Sequence, residues 1–219
     1  MIISICGKSG SGKSTLTNEL LKHYGDKAIH IDVDKIGHYV NTIPEVLNEE
    51  VKCFGEGILT DGIVDRKKLG KIVFSSDEEM AKLTDITWKY MEKEIDKIVE
   101  ANQGKLIILD WQLTPKTKFF DQSDLTILLD IPVEIRKERI LKRDNISPEK
   151  FDIREQASID YSLYNFDIVQ TEMNIDEIKR MVKLWQKFYI QEVLILLQKD
   201  IWILLNKLVN YLMKLWLRY

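Results

Sequence analysis

The stretch Gly7-Lys8-Ser9-Gly10-Ser11-Gly12-Lys13-Ser14 constrains this chain more than any other. It has the form G-x-x-x-x-G-K-[ST], with an apolar run, Ile2 to Cys6, before it and a helix-compatible run, Ser14 to Leu21, after it. The strand–loop–helix setting is what gives the pattern diagnostic weight. Glycines open backbone angles that other residues avoid, so successive N–H groups can turn inward and cradle a polyphosphate at the positive end of the following helix. Lys13 then reaches the β- and γ-phosphates as a mobile point charge, and the Ser14 hydroxyl ligates a magnesium ion bridging the same oxygens. The expected nucleotide-binding set is Gly7, Ser9, Gly10, Ser11, Gly12, Lys13, Ser14 and Thr15.

With 219 residues the chain has room for one large domain, or one domain with an inserted lid, around a sizeable core. Hydrophobic content of 45% and charged content of 31% are those of a soluble globular protein. A net charge of -3 gives no global reason to expect nucleic-acid binding. Cys6 falls in the first buried strand and Cys53 in a helical region, so neither a disulfide framework nor a metal set is expected, and His23, His30 and His38 share no ligand spacing. The amino terminus runs straight into a core strand, and the longest apolar runs, Val193 to Leu197 and Ile201 to Leu205, are too short to cross a membrane. A cytoplasmic location is expected.

Along the chain, residues 13 to 24 read as the helix after the loop, ended by Gly25, and Ala28 to Asp34 as a second strand with two acids at its carboxyl end. Open α/β sheets place their chemistry at that end. Asp34 is either a base beside the phosphate loop or the cap of a helix starting at Lys35; the residues alone leave both open. Residues 44 to 100 turn helical and charged (Pro44 to Phe54, Asp65 to Phe74, Asp77 to Glu100), a block suited to hold a phosphate acceptor, with Arg66 its most suggestive cation. Lys105 to Asp110 is a third strand, and its terminal Asp110 is a second candidate for the magnesium shell. Leu125 to Asp130 is a fourth strand. In the helix after Pro132, Arg139 and Arg143 are four apart and share a face, as a clamp on the phosphates requires. Ser147 caps a further helix with Pro148 at its first position, running through Gln156 to about Tyr164, and Phe166 to Gln170 is a fifth strand. Strands alternating with helices imply a parallel α/β sheet.

The order of these pieces resembles the dephospho-CoA kinases, within the wider group of nucleoside-monophosphate-kinase-like proteins. The pieces are the loop from Gly7, Ile31-Asp32-Val33-Asp34-Lys35-Ile36, Phe54-Gly55, Asp61-Gly62-Ile63-Val64-Asp65-Arg66, Arg139 with Arg143, and Gln156. The resemblance covers roughly residues 1 to 172 and implies a three-layer P-loop kinase fold with a five-stranded parallel sheet in the order 2-3-1-4-5. It implies an acceptor region at 40–100 and a lid at 133–165. It also implies transfer of the ATP γ-phosphate to the ribose 3′-hydroxyl of dephospho-CoA, with Mg2+. Asp34 would be the base, with Lys13 and Arg139 on the transferring phosphate and Arg143 on the nucleotide. Asp34, Arg66 and Gln156 would meet the acceptor, and Ser14 and Asp110 the metal. The chain departs from the family at Trp88-Lys89, where His-Pro is usual, at Gln112-Leu113-Thr114-Pro115-Lys116, at Ala157 to Ser162 and around Gln170-Thr171. These positions leave open a kinase for another nucleotide-like or small hydroxyl acceptor, or a catalytically silent nucleotide-binding assembly module.

Asn174-Ile175-Asp176-Glu177 has the form of a capping box opening a closing helix over 173–189. Beyond it, residues 190–219 form an amphipathic extension in which Asn206, Asn210, Lys214 and Arg218 recur every four residues on an otherwise apolar face. Such a face packs on its own domain or on a second copy of the chain, or lies on a membrane surface or partner helix.

Overall fold

The computed structural model describes residues 1–187, which fall into two units, Met1–Met173 and the segment from Asn174 onward. The extension at 190–219 lies outside the described residues. Among the described residues no helix is long and apolar enough to cross a membrane.

The first unit is built on five parallel strands: β1 (Ile2–Cys6), β2 (Ala28–Asp32), β5 (Leu106–Asp110), β6 (Leu125–Leu129) and β7 (Ile168–Gln170). Their order is β2-β5-β1-β6-β7, or 2-3-1-4-5 when the sheet strands alone are numbered. Two further strands, β3 (Leu59–Thr60) and β4 (Ile63–Val64), make a small antiparallel hairpin that the sequence reading took for turns. Asp61 and Gly62 at its tip have φ of 52° and 77°, the left-handed pair that a two-residue turn of matching twist requires. The three inner strands are apolar almost throughout, and β5 and β6 are buried along nearly their whole length, as strands covered on both faces must be.

Helix α1 (Lys13–Tyr24) follows β1 and packs on β1, β2 and β5; Gly25 ends it, its N–H bonded to the Leu21 carbonyl. On the side of β2 and β5 that presents Ile31, Ile107 and Leu109 lies a helical block. It comprises α2 (Val33–Val40), α3 (Pro44–Phe54), α4 (Arg66–Val73) and the long α5 (Asp77–Ala101), with α5 packed against the other three. Its helices start where local chemistry allows: Pro44 at the first turn of α3, the Asp65 carboxylate on the N–H groups of Lys67 and Lys68, and the Ser76 hydroxyl on that of Glu79. A short α6 (Lys118–Asp121) precedes β6. After β6 come α7 (Val133–Asp144) and α8 (Pro148–Gln156), packed on each other.

Three boundaries differ from expectation. Strand β2 stops at Asp32, not Asp34, because the Asp32 carboxylate turns back to accept the Lys35 N–H at 3.1 Å and starts α2. Helix α8 stops at Gln156 rather than near Tyr164: Asp160 accepts from the Ser162 N–H and opens a separate short turn, Tyr161–Leu163. Strand β7 begins at Ile168, because the Asp167 carboxylate binds the N–H and hydroxyl of Thr126 at the start of β6. In the second unit the helix α9 covers 175–187, and Asn174 caps it by accepting the Glu177 N–H at 3.1 Å.

Candidate active site

The carboxyl ends of β1, β2 and β5 open into a cleft of about 810 Å³. Its walls bring together residues from six separate stretches: the loop (Ser9, Gly10, Gly12, Lys13, Ser14, Thr15), the passage from β2 into α2 (His30, Asp32, Asp34), the end of β5 (Asp110 to Leu113), α7 (Arg139, Ile140, Arg143), Ala157, and Met173. Register explains part of this. Asp32 pairs with Asp110 across β2 and β5, so the chain segments just beyond them, carrying Asp34 and Trp111, leave the sheet side by side.

The loop closes on itself through the Ser11 N–H and the Lys8 carbonyl, 3.1 Å apart. Lys13 lies over it, its ammonium donating to the Gly7 carbonyl at 2.9 Å. Burial pushes the Lys13 ammonium below the usual lysine range, against the pull of Asp110. Burial likewise raises the Asp110 carboxyl, with the Lys13 charge opposing. The Ser14 hydroxyl donates to Asp110 Oδ2 at 3.4 Å, so a hydroxyl and a carboxylate face the same corner of the cleft. That oxygen pair suits a hard cation which keeps most of its waters and shares the phosphate oxygens. Cys6, beneath the loop, is held as a neutral thiol by burial, its pKa pushed up to about 12.

The helix cap that competed for Asp34 is Asp32. Asp32 also pairs with Lys35 Nζ at 3.1 Å; burial alone would raise its carboxyl, but the hydrogen bonds and charge of Lys35 hold it below the usual range. Asp34, in the first turn of α2, is exposed on the cleft wall, where its charge acts on both Lys13 and Asp110. Arg139 and Arg143 line the same cleft from α7. Arg139 donates to the Gly10 carbonyl at 3.1 Å, and Arg143 is held by Asp144 at 2.7 Å.

Not every expected residue is on these walls. Gly7 lies just behind the cleft. Ser11 is fully buried, its hydroxyl turned under the loop without a hydrogen-bond partner, so only its backbone is in a position to serve a ligand. Arg66 is exposed at the start of α4 and contacts His38 Nε2. Gln156 is exposed at the end of α8. Residues that sequence reasoning passed over do reach the site. The Tyr161 hydroxyl accepts the Gly7 N–H at 3.0 Å and donates to the Gln112 carbonyl at 2.9 Å, tying the loop to the cleft floor. Trp111 lines the cleft and is backed by Trp88 of α5, ring centroids 5.4 Å apart and planes at 64°. His30 lines it too, with its Nε2 buried and unpartnered.

The family model described as dephospho-CoA kinase matches residues 1–169. The chain belongs to the dephospho-CoA kinase family. A relative from Aquifex aeolicus that bears this name is 35% identical over 187 residues, covering 83% of this chain and 93% of the relative. Another from Wolinella succinogenes is 35% identical over 166 residues, covering 72% and 78%. Among solved structures, one from Thermus thermophilus superposes with a TM-score of 0.69 at 23% identity, over 84% of this chain and 95% of that one. The dephospho-CoA kinase from Campylobacter jejuni superposes with a TM-score of 0.56 at 24% identity, over 85% and 96%. These two likenesses speak for the fold. Trp88, one of the departures from the dephospho-CoA kinase pattern, packs edge-on against Trp111, the residue just before a second departure at Gln112 to Lys116.

Proposed function

We propose that the cleft transfers the γ-phosphoryl group of ATP to the ribose 3′-hydroxyl of dephospho-CoA, giving CoA and ADP, the last step of coenzyme A biosynthesis. One observation carries the reading: Asp34, Lys13, Arg139 and Arg143 line one cleft although they come from three distant stretches of chain. The loop amides and Lys13 hold the β- and γ-phosphates. Arg139 exchanges the Gly10 carbonyl for a phosphate oxygen, and Arg143 turns from Asp144 to the nucleotide. Asp34 accepts a hydrogen bond from the acceptor hydroxyl, aims it at the phosphorus and takes its proton as the new bond forms. Ser14 and Asp110 would hold Mg2+, which would supply charge neutralisation on the phosphates. Most of the acceleration then comes from positioning and charge complementarity. Arg66 and Gln156, which stand off the cleft wall, meet the acceptor only when the helical block and the lid close over it.

A second reading keeps the phosphate machinery and changes the acceptor to another nucleotide-like or small hydroxyl compound; the Trp88–Trp111 pair on the acceptor side favours it. An ADP-release assay across dephospho-CoA, nucleosides and nucleoside monophosphates separates the two. Robust turnover with dephospho-CoA is the expected result; turnover only with a different acceptor replaces the first reading by the second.

A further inference from the structure

One carboxylate outside the cleft gathers the phosphate loop and both lid helices. Glu155 of α8 accepts two hydrogen bonds from the Arg136 guanidinium of α7, at 2.7 and 2.8 Å, and a third from the Lys8 ammonium at 2.9 Å. Arg136 is only 4% exposed, and it donates twice more: from Nε to the Ile131 carbonyl at 2.8 Å, and from Nη1 to the Ser9 carbonyl at 3.4 Å. A forked, solvent-shielded arginine–carboxylate pair is among the stronger and most directional polar contacts a protein makes. It draws the Glu155 carboxyl far down, to about 2, so the pair is ionised throughout the working pH range.

The consequence lies in the Ser9–Gly10 peptide. In a trans peptide the carbonyl and the next N–H point in opposite directions. Arg136 holds the Ser9 oxygen toward α7, which turns the Gly10 N–H the other way. Gly10 has φ of 80° and lies so close to α7 that an added Cβ would come within 2.9 Å of the Arg136 carbonyl oxygen. The side chain that would stop this peptide from turning over is therefore missing. Without the arginine anchor the carbonyl is free to rotate toward the phosphates, where it would repel them.

We propose that Glu155 is a positioning residue: by fixing Arg136 and Lys8 it holds the Ser9–Gly10 peptide with its carbonyl outward and its N–H toward the nucleotide. The proposal rests on the reading of the loop as an ATP site, and not on the identity of the acceptor.

The test measures ATP dissociation constants by calorimetry, steady-state constants with dephospho-CoA, and melting temperature, for the full chain and its variants. Glu155→Gln is expected to weaken ATP binding about tenfold or more while the acceptor KM stays within about twofold. Combining it with Arg136→Gln, which removes the anchor on the Ser9 carbonyl itself, is expected to weaken ATP binding no more than Arg136→Gln does alone, the non-additivity that marks coupled residues. Arg136→Lys, which keeps the charge but loses the fork, should weaken ATP binding in the same direction and carries the test if Glu155→Gln does not fold. Wild-type ATP affinity in folded Glu155→Gln and Arg136→Lys overturns the proposal, as does a lowered melting temperature with no change in affinity. A wild-type protein that binds ATP yet fails to phosphorylate dephospho-CoA removes the acceptor reading and leaves the ATP-binding comparison intact.

Discussion

Asp34 and Asp32 show how two identical side chains two residues apart come to do different things. Asp32 is spent on the Lys35 N–H and ammonium, which start α2. Asp34 is thereby left on the cleft wall with no such task, which is the condition a base must meet. Asp34→Asn keeps the size and removes the proton acceptor, so it is expected to leave the ATP dissociation constant unchanged and lower kcat by about 10²–10⁴. Calorimetry beside the ADP-release assay reads both; turnover near that of the wild type takes Asp34 out of the base role. Glu50 is a different kind of residue: an acid of α3, fully buried, with neither carboxylate oxygen hydrogen-bonded. Burial raises its pKa from 4.5 to about 7. Because the folded-state value lies above the unfolded one, the folded state is favoured below about pH 4.5 and loses that advantage as pH rises toward 7. Glu50→Gln is therefore expected to raise the melting temperature at pH 8 relative to wild type, by a stabilisation on the order of 3 kcal/mol, and to change it little at pH 5.

At the level of elements, the wall of the cleft that we assign to the acceptor depends on how α5 meets the end of β5. Trp88 stacks edgewise on Trp111, and Trp111 follows the Asp110 that pairs with Asp32. An indole beside Asp34 offers a flat apolar face to whatever base or chain the acceptor carries, and contacts of this kind are worth about 1–3 kcal/mol. Trp111→Ala should thus raise the acceptor KM by roughly 10- to 100-fold and leave ATP binding alone. An equal loss for both substrates would mean that the indole supports the fold only. Much of this layer is readable in the sequence because it obeys local rules: the loop after β1, the helix starting at Pro44, the cap at Ser147, and the stop at Gly25. The hairpin of β3 and β4 was not, since strands of two residues carry no alternation to detect. Nor was the Lys8–Glu155–Arg136 cluster, whose members are neighbours only once α8 lies on α7. Nor were both partners of Asp144, which pairs with Arg143 beside it on α7 and with Arg154 of α8. Charge pairing across helices is set by their crossing, which spacing along the chain does not encode.

For the molecule as a whole, the same cluster sets an acid limit. The Arg136 hydrogen bonds, helped by Lys8, hold the Glu155 carboxyl at about 2 in the folded state against 4.5 ordinarily. A depressed folded-state value contributes stability that is present above about pH 4.5 and lost as pH falls toward 2. Urea unfolding between pH 5 and 2.5 should show this loss in the wild type, and a shallower one in Glu155→Gln. The sheet order has a consequence of another kind, in time. Strand β1, which carries the phosphate loop, is made before the other four strands of its sheet, yet it lies in the middle of that sheet, with Ile3 beside Ile108 and Leu125. At about 5–20 residues per second, its neighbours arrive many seconds after it does. Until then an apolar strand waits unpaired, and the carboxyl ends of β1, β2 and β5, which open into the cleft, have not met. Nucleotide binding is thus expected to report that these three strands have come together.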